Sequence, residues 1–184
     1  MTLTTYGKWL VAGGSTNGQP VATAEIYDIN DAVVKPTGLM AAERIEHAAV
    51  RLPDGRVLVT GGRTADDKAI ASAEIFDPTT GQFTTIGPMT TPRRGHAKVL
   101  MLDGDVLITG GFGADGRALA TTEVYAPGVD VFVPMPPMAT PRAGHGAWLM
   151  PDGRVLMLGG GRAGADGELP GPMSAEVYVP PGDQ

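Results

Sequence analysis

Residues 47–62 read HAAVRLPDGRVLVTGG, and the same phrase returns as HAKVLMLDGDVLITGG at 96–111 and as HGAWLMPDGRVLMLGG at 145–160. The copies stand 49 residues apart on both intervals, and Gly13 with Gly14 marks an earlier copy. A fixed period of about 50 residues predicts a repeat architecture, in which each copy buries its apolar surface against its neighbours. Features that every copy shares therefore report on the fold and say little about a ligand.

The composition is that of a folded chain with many turns. The 184 residues include 27 Gly and 16 Pro, which exceeds ordinary usage of roughly 7% and 5%, and we interpret them as turn residues between short strands. A hydrophobic content of 42% argues against disorder. The net charge is -6 and no basic stretch is interleaved with aromatic residues, so we expect no nucleic-acid partner.

The sequence carries no signal for cysteine chemistry or for a membrane. The absence of cysteine excludes disulfides, thiolate metal sites and cysteine nucleophiles. No apolar run approaches the roughly 20 residues that cross a bilayer, and residues 1–11 lack the basic start and long apolar stretch of a signal peptide. We therefore expect a soluble chain without a membrane partner, and the compartment of its parent, cytoplasmic or secreted, stays open.

The copy at 41–89 shows the predicted strands most clearly. Turn residues divide it into segments at 47–52, 56–60, 72–76 and 82–86, which predict a four-stranded antiparallel meander. The second segment is apolar without alternation, so both of its faces must be covered, as when like sheets stack around the axis of a β-propeller. The first segment is rich in small residues, so we expect it to be the innermost strand.

The repeats resemble those of the kelch family of β-propellers, and the resemblance covers essentially the whole chain. It rests on the period, on the glycine pairs, on the Pro-Arg-x-Gly-His sequences at 92–96 and 141–145, and on an aromatic residue two positions after a glutamate in the third strand. Those aromatic residues are Tyr27, Phe76, Tyr125 and Tyr178. The competing WD40 repeat is shorter, at roughly 40 to 45 residues, and has a Trp-Asp signature that is absent here.

One position departs from the kelch pattern. Kelch repeats usually carry tryptophan in the fourth strand, where this chain has Val34, Phe83 and Phe132. The departure is typical of a divergent, bacterial-style subgroup. The resemblance implies an all-β fold, a β-propeller of kelch-type four-stranded antiparallel blades.

The sequence predicts one repeat domain, 1–184, of about three and a half to four blades. The blades are expected at 1–40 with a truncated first strand, at 41–89, at 90–138, and at 139–184 without a fourth strand. Unpaired strand edges invite pairing. A closed four-bladed ring, a ring completed by two chains and a piece of a longer propeller are all open, and we favour the last two. Self-association as a homodimer is thus a hypothesis.

Residues that recur in register are candidates for structural roles. The recurring glutamates could be catalytic acids or bases. The histidines could be metal ligands, and the glycine pairs could form a phosphate-binding loop. Buried charges are normally paired, however, and no phosphate-binding motif is present. We interpret all of them as structural and predict that each glutamate pairs with an arginine, a histidine or turn amides. The set is Gly13, Gly14, Glu25, Arg44, His47, Gly61, Gly62, Glu74, Arg93, His96, Gly110, Gly111, Glu123, Arg142, His145, Gly159, Gly160 and Glu176.

The copies differ mainly in the loops between the second and third strands. In an up-and-down meander these loops share one rim with the connections that enter each first strand, whereas the opposite rim carries uniform turns such as Pro-Asp-Gly. Variable loops on a rigid framework are where binding sites usually lie. We predict a ligand surface on this variable rim, formed by Arg63, Asp66, Asp67, Arg94, Phe112, Arg117 and Arg162.

The kelch resemblance implies a binding or interaction module for a protein or carbohydrate ligand. An alternative is an enzyme, because the phrase Pro-Asp-Gly-Arg-Val-Leu resembles the propeller of galactose oxidase. That copper enzyme needs tyrosines, histidines and a cysteine cross-linked to a tyrosine. This chain has no cysteine, and its tyrosines are Tyr6 and three in third strands. We therefore expect no catalytic residue, metal or cofactor. A further alternative is a purely structural propeller segment.

Overall fold

The computed structural model describes residues 1–4, 7–161 and 174–181. Within these residues the chain is all-β, with strands arranged in four antiparallel sheets and one separate two-stranded hairpin. The predicted all-β fold of antiparallel, blade-like sheets is confirmed. The described part of the chain contains no helix with the length and apolar character needed to cross a membrane.

The first sheet, blade 1, contains four strands in the order β1-β2-β5-β6 and has a small hairpin, β3-β4, between β2 and β5. The strands are β1 (Thr2–Leu3), β2 (Lys8–Ala12), β3 (Ser15–Thr16), β4 (Gln19–Pro20), β5 (Ala24–Asp28) and β6 (Val33–Pro36). The innermost strand of this blade, β1, has two residues, whereas its counterparts in the other blades have four.

Blades 2 and 3 are complete four-stranded meanders. Blade 2 consists of β7 (Ala48–Arg51), β8 (Val57–Thr60), β9 (Ala73–Asp77) and β10 (Gln82–Ile86). Blade 3 consists of β11 (Ala97–Leu100), β12 (Val106–Thr109), β13 (Thr122–Ala126) and β14 (Val131–Met135). In both blades each strand pairs antiparallel with the next strand along the chain, as the turn residues predict.

Blade 4 has three strands among the described residues. They are β15 (Gly146–Leu149), β16 (Val155–Leu158) and β17 (Ala175–Tyr178), paired in chain order. The first strands of neighbouring blades contact one another, β1 with β7, β7 with β11, and β11 with β15. The first strand is therefore innermost, as its small residues predict, because bulky side chains would keep the blades apart there.

Apolar clusters fill the interfaces between consecutive blades. We call the face that packs on the following blade the rear face, and the opposite face the front face. All four residues of β8 and of β12 are buried, because their two faces meet neighbouring blades on both sides. The cluster between blades 2 and 3 contains Leu52, Leu58, Ala73, Ile75, Met89, Val106, Ile108 and Tyr125. Equivalent clusters lie between blades 1 and 2 and between blades 3 and 4.

In blades 1 to 3, the first glycine of the pair lies where the blade closely approaches the connection that enters the next blade. Gly61 has a φ of 60°, and a Cβ added there would lie 2.3 Å from the carbonyl oxygen of Arg93 in the next blade. Any other residue would force the two blades apart at this point. These first glycines thus set the spacing between blades, whereas Gly62, Gly111 and Gly160 closely approach the connection that enters their own blade.

Candidate functional site

A buried arginine–glutamate pair lies in each of blades 2, 3 and 4. In blade 3 the Nη2 atom of Arg93 lies 2.7 Å from Oε1 of Glu123, and both side chains are almost completely buried. Arg93 also donates to the carbonyl oxygens of Gly110 and Thr121, at 2.7 Å and 3.1 Å. The backbone N–H of Thr90 donates to the other oxygen of Glu123 at 2.7 Å. Each buried charge is therefore compensated, and the pair ties the entry of the first strand to the third strand.

The same arrangement recurs in the two neighbouring blades. Arg44 lies 2.6 Å from Glu74, and Arg142 lies 2.6 Å from Glu176. Glu25 in blade 1 departs from it, because Glu25 is exposed and no arginine is within ion-pair distance among the residues that the structure describes. The predicted pairing of glutamate with arginine and turn amides is thus present in three copies and absent from the first.

The recurring histidines join one blade to the previous one. Thr60 and His96 share a hydrogen bond of 3.0 Å between Oγ1 and Nε2, and Thr109 and His145 share an equivalent bond of 2.8 Å. Burial, with the positive charge of Arg142 nearby, lowers the pKa of His145 to about 4. The described residues contain no group of three or more histidine, aspartate or glutamate side chains that could hold a metal ion. His96 and His145 are thus neutral interblade contacts.

The variable rim is built by short backbone bridges. In blades 2 to 4, the residue that follows the glycine pair forms two backbone hydrogen bonds with the connection entering the first strand of the same blade. Arg63 pairs in this way with Ile45, and Phe112 with Arg94, through N–H to carbonyl distances of 2.8 to 3.1 Å. Side chains from the loop and from the connection are therefore held next to each other on one rim.

Glu46 brings these side chains of blades 2 and 3 together. Its carboxylate accepts a hydrogen bond from Nε of Arg63 at 2.8 Å and one from Nη1 of Arg94 at 2.6 Å. The Arg94 guanidinium also lies over the ring of Phe112, 5.1 Å from its centroid. Burial raises the pKa of Glu46, but the hydrogen bonds from the two arginines outweigh it and hold the pKa below its usual value. Glu46 is therefore ionised at neutral pH and fixes both arginines.

The backbone of Glu46 is in the left-handed region, with a φ of 56°. Blades 3 and 4 have Gly95 and Gly144 at this position, with φ of 58° and 61°. A ladder of backbone hydrogen bonds connects the three residues, from Gly95 N–H to the Glu46 carbonyl at 2.9 Å and from Gly144 N–H to the Gly95 carbonyl at 3.0 Å. A glutamate in this conformation costs energy that glycine does not, and such strain clusters at functional sites.

The predicted ligand residues divide into those that join this cluster and those that do not. Arg63, Arg94 and Phe112 lie together around Glu46, and Asp67 joins through an ion pair of 3.1 Å with Arg63. Asp66 instead pairs with Lys68 at 2.8 Å. The side chain of Arg117 is 86% exposed and stands apart from the cluster. Arg162 lies outside the described residues.

Glu46 is not among the residues predicted for the ligand surface. The sequence does distinguish this position, because Glu46 precedes His47 where the later copies have glycine before histidine. A charged residue in place of glycine is a break in the repeat, like the variable loops. We define the rim cluster as Glu46, Arg63, Asp67, Arg94 and Phe112.

Comparison with protein families gives one result that agrees with these observations. Residues 46–90 match the family model described as Kelch motif. The match begins at Glu46 and covers all four strands of blade 2, whose strand order and glycine pair return in blade 3. A search of curated proteins finds no match to the chain.

Proposed function

We propose that this chain is a kelch-type interaction module that binds its ligand at the variable rim through the rim cluster. The observation that carries the proposal is the convergence on Glu46 of side chains that break the repeat. Arg63, Arg94 and Glu46 come from two different blades, yet they form one hydrogen-bonded group. Residues needed only for the fold would recur in every blade, and these do not.

The chemistry of the rim cluster suits a protein ligand. The side chains of Arg63 and Arg94 are partly exposed, at 26% and 21%, while Glu46 fixes their positions. Arginine and aromatic residues are enriched at protein interfaces, and fixed side chains lose less entropy when a partner binds. The stacked Arg94 and Phe112 offer a flat surface with donors at its edge. A carbohydrate would use the same donors and the same ring, so it is the alternative ligand class.

Binding by the wild-type chain can be measured with a displayed peptide library and with a glycan array. We expect the library to yield binders whose affinity falls at least tenfold in R63A/R94A. The matched control is R56A/R154A, which removes two arginines from the uniform rim, where they pair locally with Asp54 and Asp152. Unchanged affinity in R63A/R94A, or an equal loss in the control, would overturn the assignment. Binders from the array alone would assign a carbohydrate ligand.

We propose binding without catalysis. The support is that the recurring glutamates and histidines, the residues best suited to acid–base chemistry, take part in interblade and intrablade contacts in blades 2 to 4. Oxidation of a primary alcohol by the chain after loading with copper would contradict this part of the proposal.

A further inference from the structure

Among residues 1–4, 7–161 and 174–181, no blade covers the front face of blade 1 or the rear face of blade 4, at the two ends of the stack. On the front face of blade 2, Val59 is completely buried against blade 1, but its counterpart Val11 on blade 1 is 37% exposed. On the rear face of blade 3, Val99 is buried against blade 4, but its counterpart Trp148 on blade 4 is 54% exposed. The same strand positions are thus buried inside the stack and exposed at its ends.

The rear face of blade 4 is more apolar than the buried rear faces. Trp148, Leu156 and Val177 lie side by side on adjacent strands of this face, in the register that joins Trp148 to Leu156 and Leu156 to Val177. Leu158 occupies the position of Thr109 in blade 3 and is 43% exposed. This face thus has a tryptophan and a leucine at positions where the buried copies have valine and threonine. Such apolar exposure favours a partner that covers the face.

The front face of blade 1 is also apolar. Trp9, Tyr27 and Val34 are cross-strand neighbours there, and Val34 is 54% exposed. Their counterparts in blade 2 are Val57, Phe76 and Phe83, which pack in the cluster between blades 1 and 2.

Both tryptophans of the chain, Trp9 and Trp148, therefore lie on the two open faces. Tryptophan is among the residues that contribute most at protein interfaces.

We propose that a second copy of this chain covers these faces head to tail, with the rear face of blade 4 on the front face of blade 1 of the other copy. Every blade interface inside the chain joins one rear face to one front face. The two open faces are one of each kind, so the complementarity that assembles the blades extends to a second copy. Two chains related by a two-fold axis then meet at two equivalent interfaces. This surface is separate from the rim cluster.

The mass of the full chain in solution, measured by light scattering over a concentration series, tests the pairing. We expect twice the 19.0 kDa of one chain. Tryptophan emission should shift to the red on dilution, because dissociation exposes Trp9 and Trp148. A monomer at all concentrations would overturn the proposal, whether the faces stay open or close on each other within one chain. Polymers that grow with concentration would overturn the two-chain arrangement.

Charged substitutions distinguish head-to-tail pairing from other dimers. V11E blocks the front face of blade 1 and W148E blocks the rear face of blade 4, and we expect each variant alone to be monomeric. Mixed together, the two variants retain one intact pair of faces and should form a heterodimer. L102E is the control, because Leu102 is 71% exposed in a turn of blade 3 away from both faces.

Three results would contradict the head-to-tail interface: a dimer of V11E alone, a dimer of W148E alone, or a mixture that stays monomeric. Circular dichroism checks that the variants fold, and V34E and L158E replace any variant that does not. Loss of the dimer in L102E would equally count against the proposal, because that substitution leaves both faces unchanged.

Discussion

The chain contains two kinds of arginine–glutamate contact that are similar in length but differ in burial and in recurrence between blades. Arg93 and Glu123 lie 2.7 Å apart with side chains no more than 1% exposed, and Arg94 and Glu46 lie 2.6 Å apart with side chains 21% and 36% exposed. Within the part of the chain that the structure describes, the first contact recurs in blades 2 to 4, and the second has no equivalent in another blade. Burial and recurrence, rather than distance, therefore separate a contact that holds the blade together from one that is available to a ligand.

The difference also shows in what surrounds each pair. Arg93 and Glu123 bind each other and backbone groups of the same blade and of the connection entering it, although Nε of Arg93 has no partner among the described residues. The donors of Arg63 and Arg94 face the rim, and Asp67, another exposed side chain, is the remaining partner of Arg63. A ligand can therefore replace or extend the contacts of the rim cluster, but it cannot reach the buried pair.

Breaking the buried pair should give the largest effect. Removing one partner leaves the other charge buried without compensation, which costs about 3 to 5 kcal/mol. We expect R93M to lower the free energy of unfolding by that amount. R63A, which removes a half-exposed contact of the rim cluster, should lower it by less than about 1 kcal/mol. Urea unfolding of the two variants under identical conditions measures the difference.

The double variant R93M/E123L tests the physical reason. Because it removes both charges together, it should recover a large part of the stability that R93M loses. Equal destabilisation by R93M and R63A would remove the distinction between the two contacts. No recovery in the double variant would mean that the backbone hydrogen bonds of Arg93, rather than its charge pairing, carry the effect.

A change of pH should destabilise the interblade contact of His145 and leave the rim cluster unaffected. The expected loss of stability is smaller than that of R93M. The pKa of His145 is about 4 in the folded protein because of its burial and of Arg142 nearby, against about 6.5 in an unfolded chain. Between these values the unfolded chain binds the proton and the folded chain does not, so stability is complete above pH 6.5 and falls as the pH drops towards 4. At pH 5 the loss from His145 is about 2 kcal/mol.

The rim cluster should not respond in this range. Hydrogen bonds from Arg63 and Arg94 outweigh the effect of burial and keep the pKa of Glu46 below its usual value, so its carboxylate stays ionised at pH 5. H145Q should therefore reduce the loss of stability between pH 7 and pH 5, whereas E46Q should leave it unchanged. Urea unfolding of both variants at the two pH values provides the test, and an equal slope in H145Q and wild type would show that His145 is not its source.

The sequence predicts the framework well because the framework is repeated. The segment predicted at 56–60 is the strand Val57–Thr60, and the recurrence of Gly61 with its counterparts marks a place where only glycine fits against the next blade. Each copy supplies an independent observation of the same local requirement. The innermost position of the first strand also follows from the small residues at its start, which allow neighbouring blades to approach each other there.

The rim cluster was only partly predictable, since its contacts cross between copies. Arg63 and Arg117 both lie in variable loops, and nothing in their sequence surroundings tells that Arg63 reaches Glu46 while Arg117 projects outward. That difference depends on the backbone bridge that holds Arg63 against Ile45. The contact between Glu46 and Arg94 joins residues 48 positions apart. Such a pair becomes visible once adjacent blades are placed side by side.

Replacing Glu46 by the residue of the other copies should have the smallest effect on stability. E46G relieves a left-handed backbone that costs a non-glycine residue about 1 to 2 kcal/mol. It also removes two partly exposed ion pairs worth up to about 1 kcal/mol each, and it gives the unfolded chain more freedom. These contributions offset one another, so we expect the free energy of unfolding to change by less than about 1 kcal/mol.

Binding of a peptide selected on the wild-type chain should nevertheless fall at least tenfold, because Arg63 and Arg94 lose the carboxylate that fixes them. A variant that keeps full binding would show that Glu46 has no part in positioning these arginines. A variant that loses several kcal/mol of stability would instead place Glu46 with the buried pairs, as part of what holds the blades together.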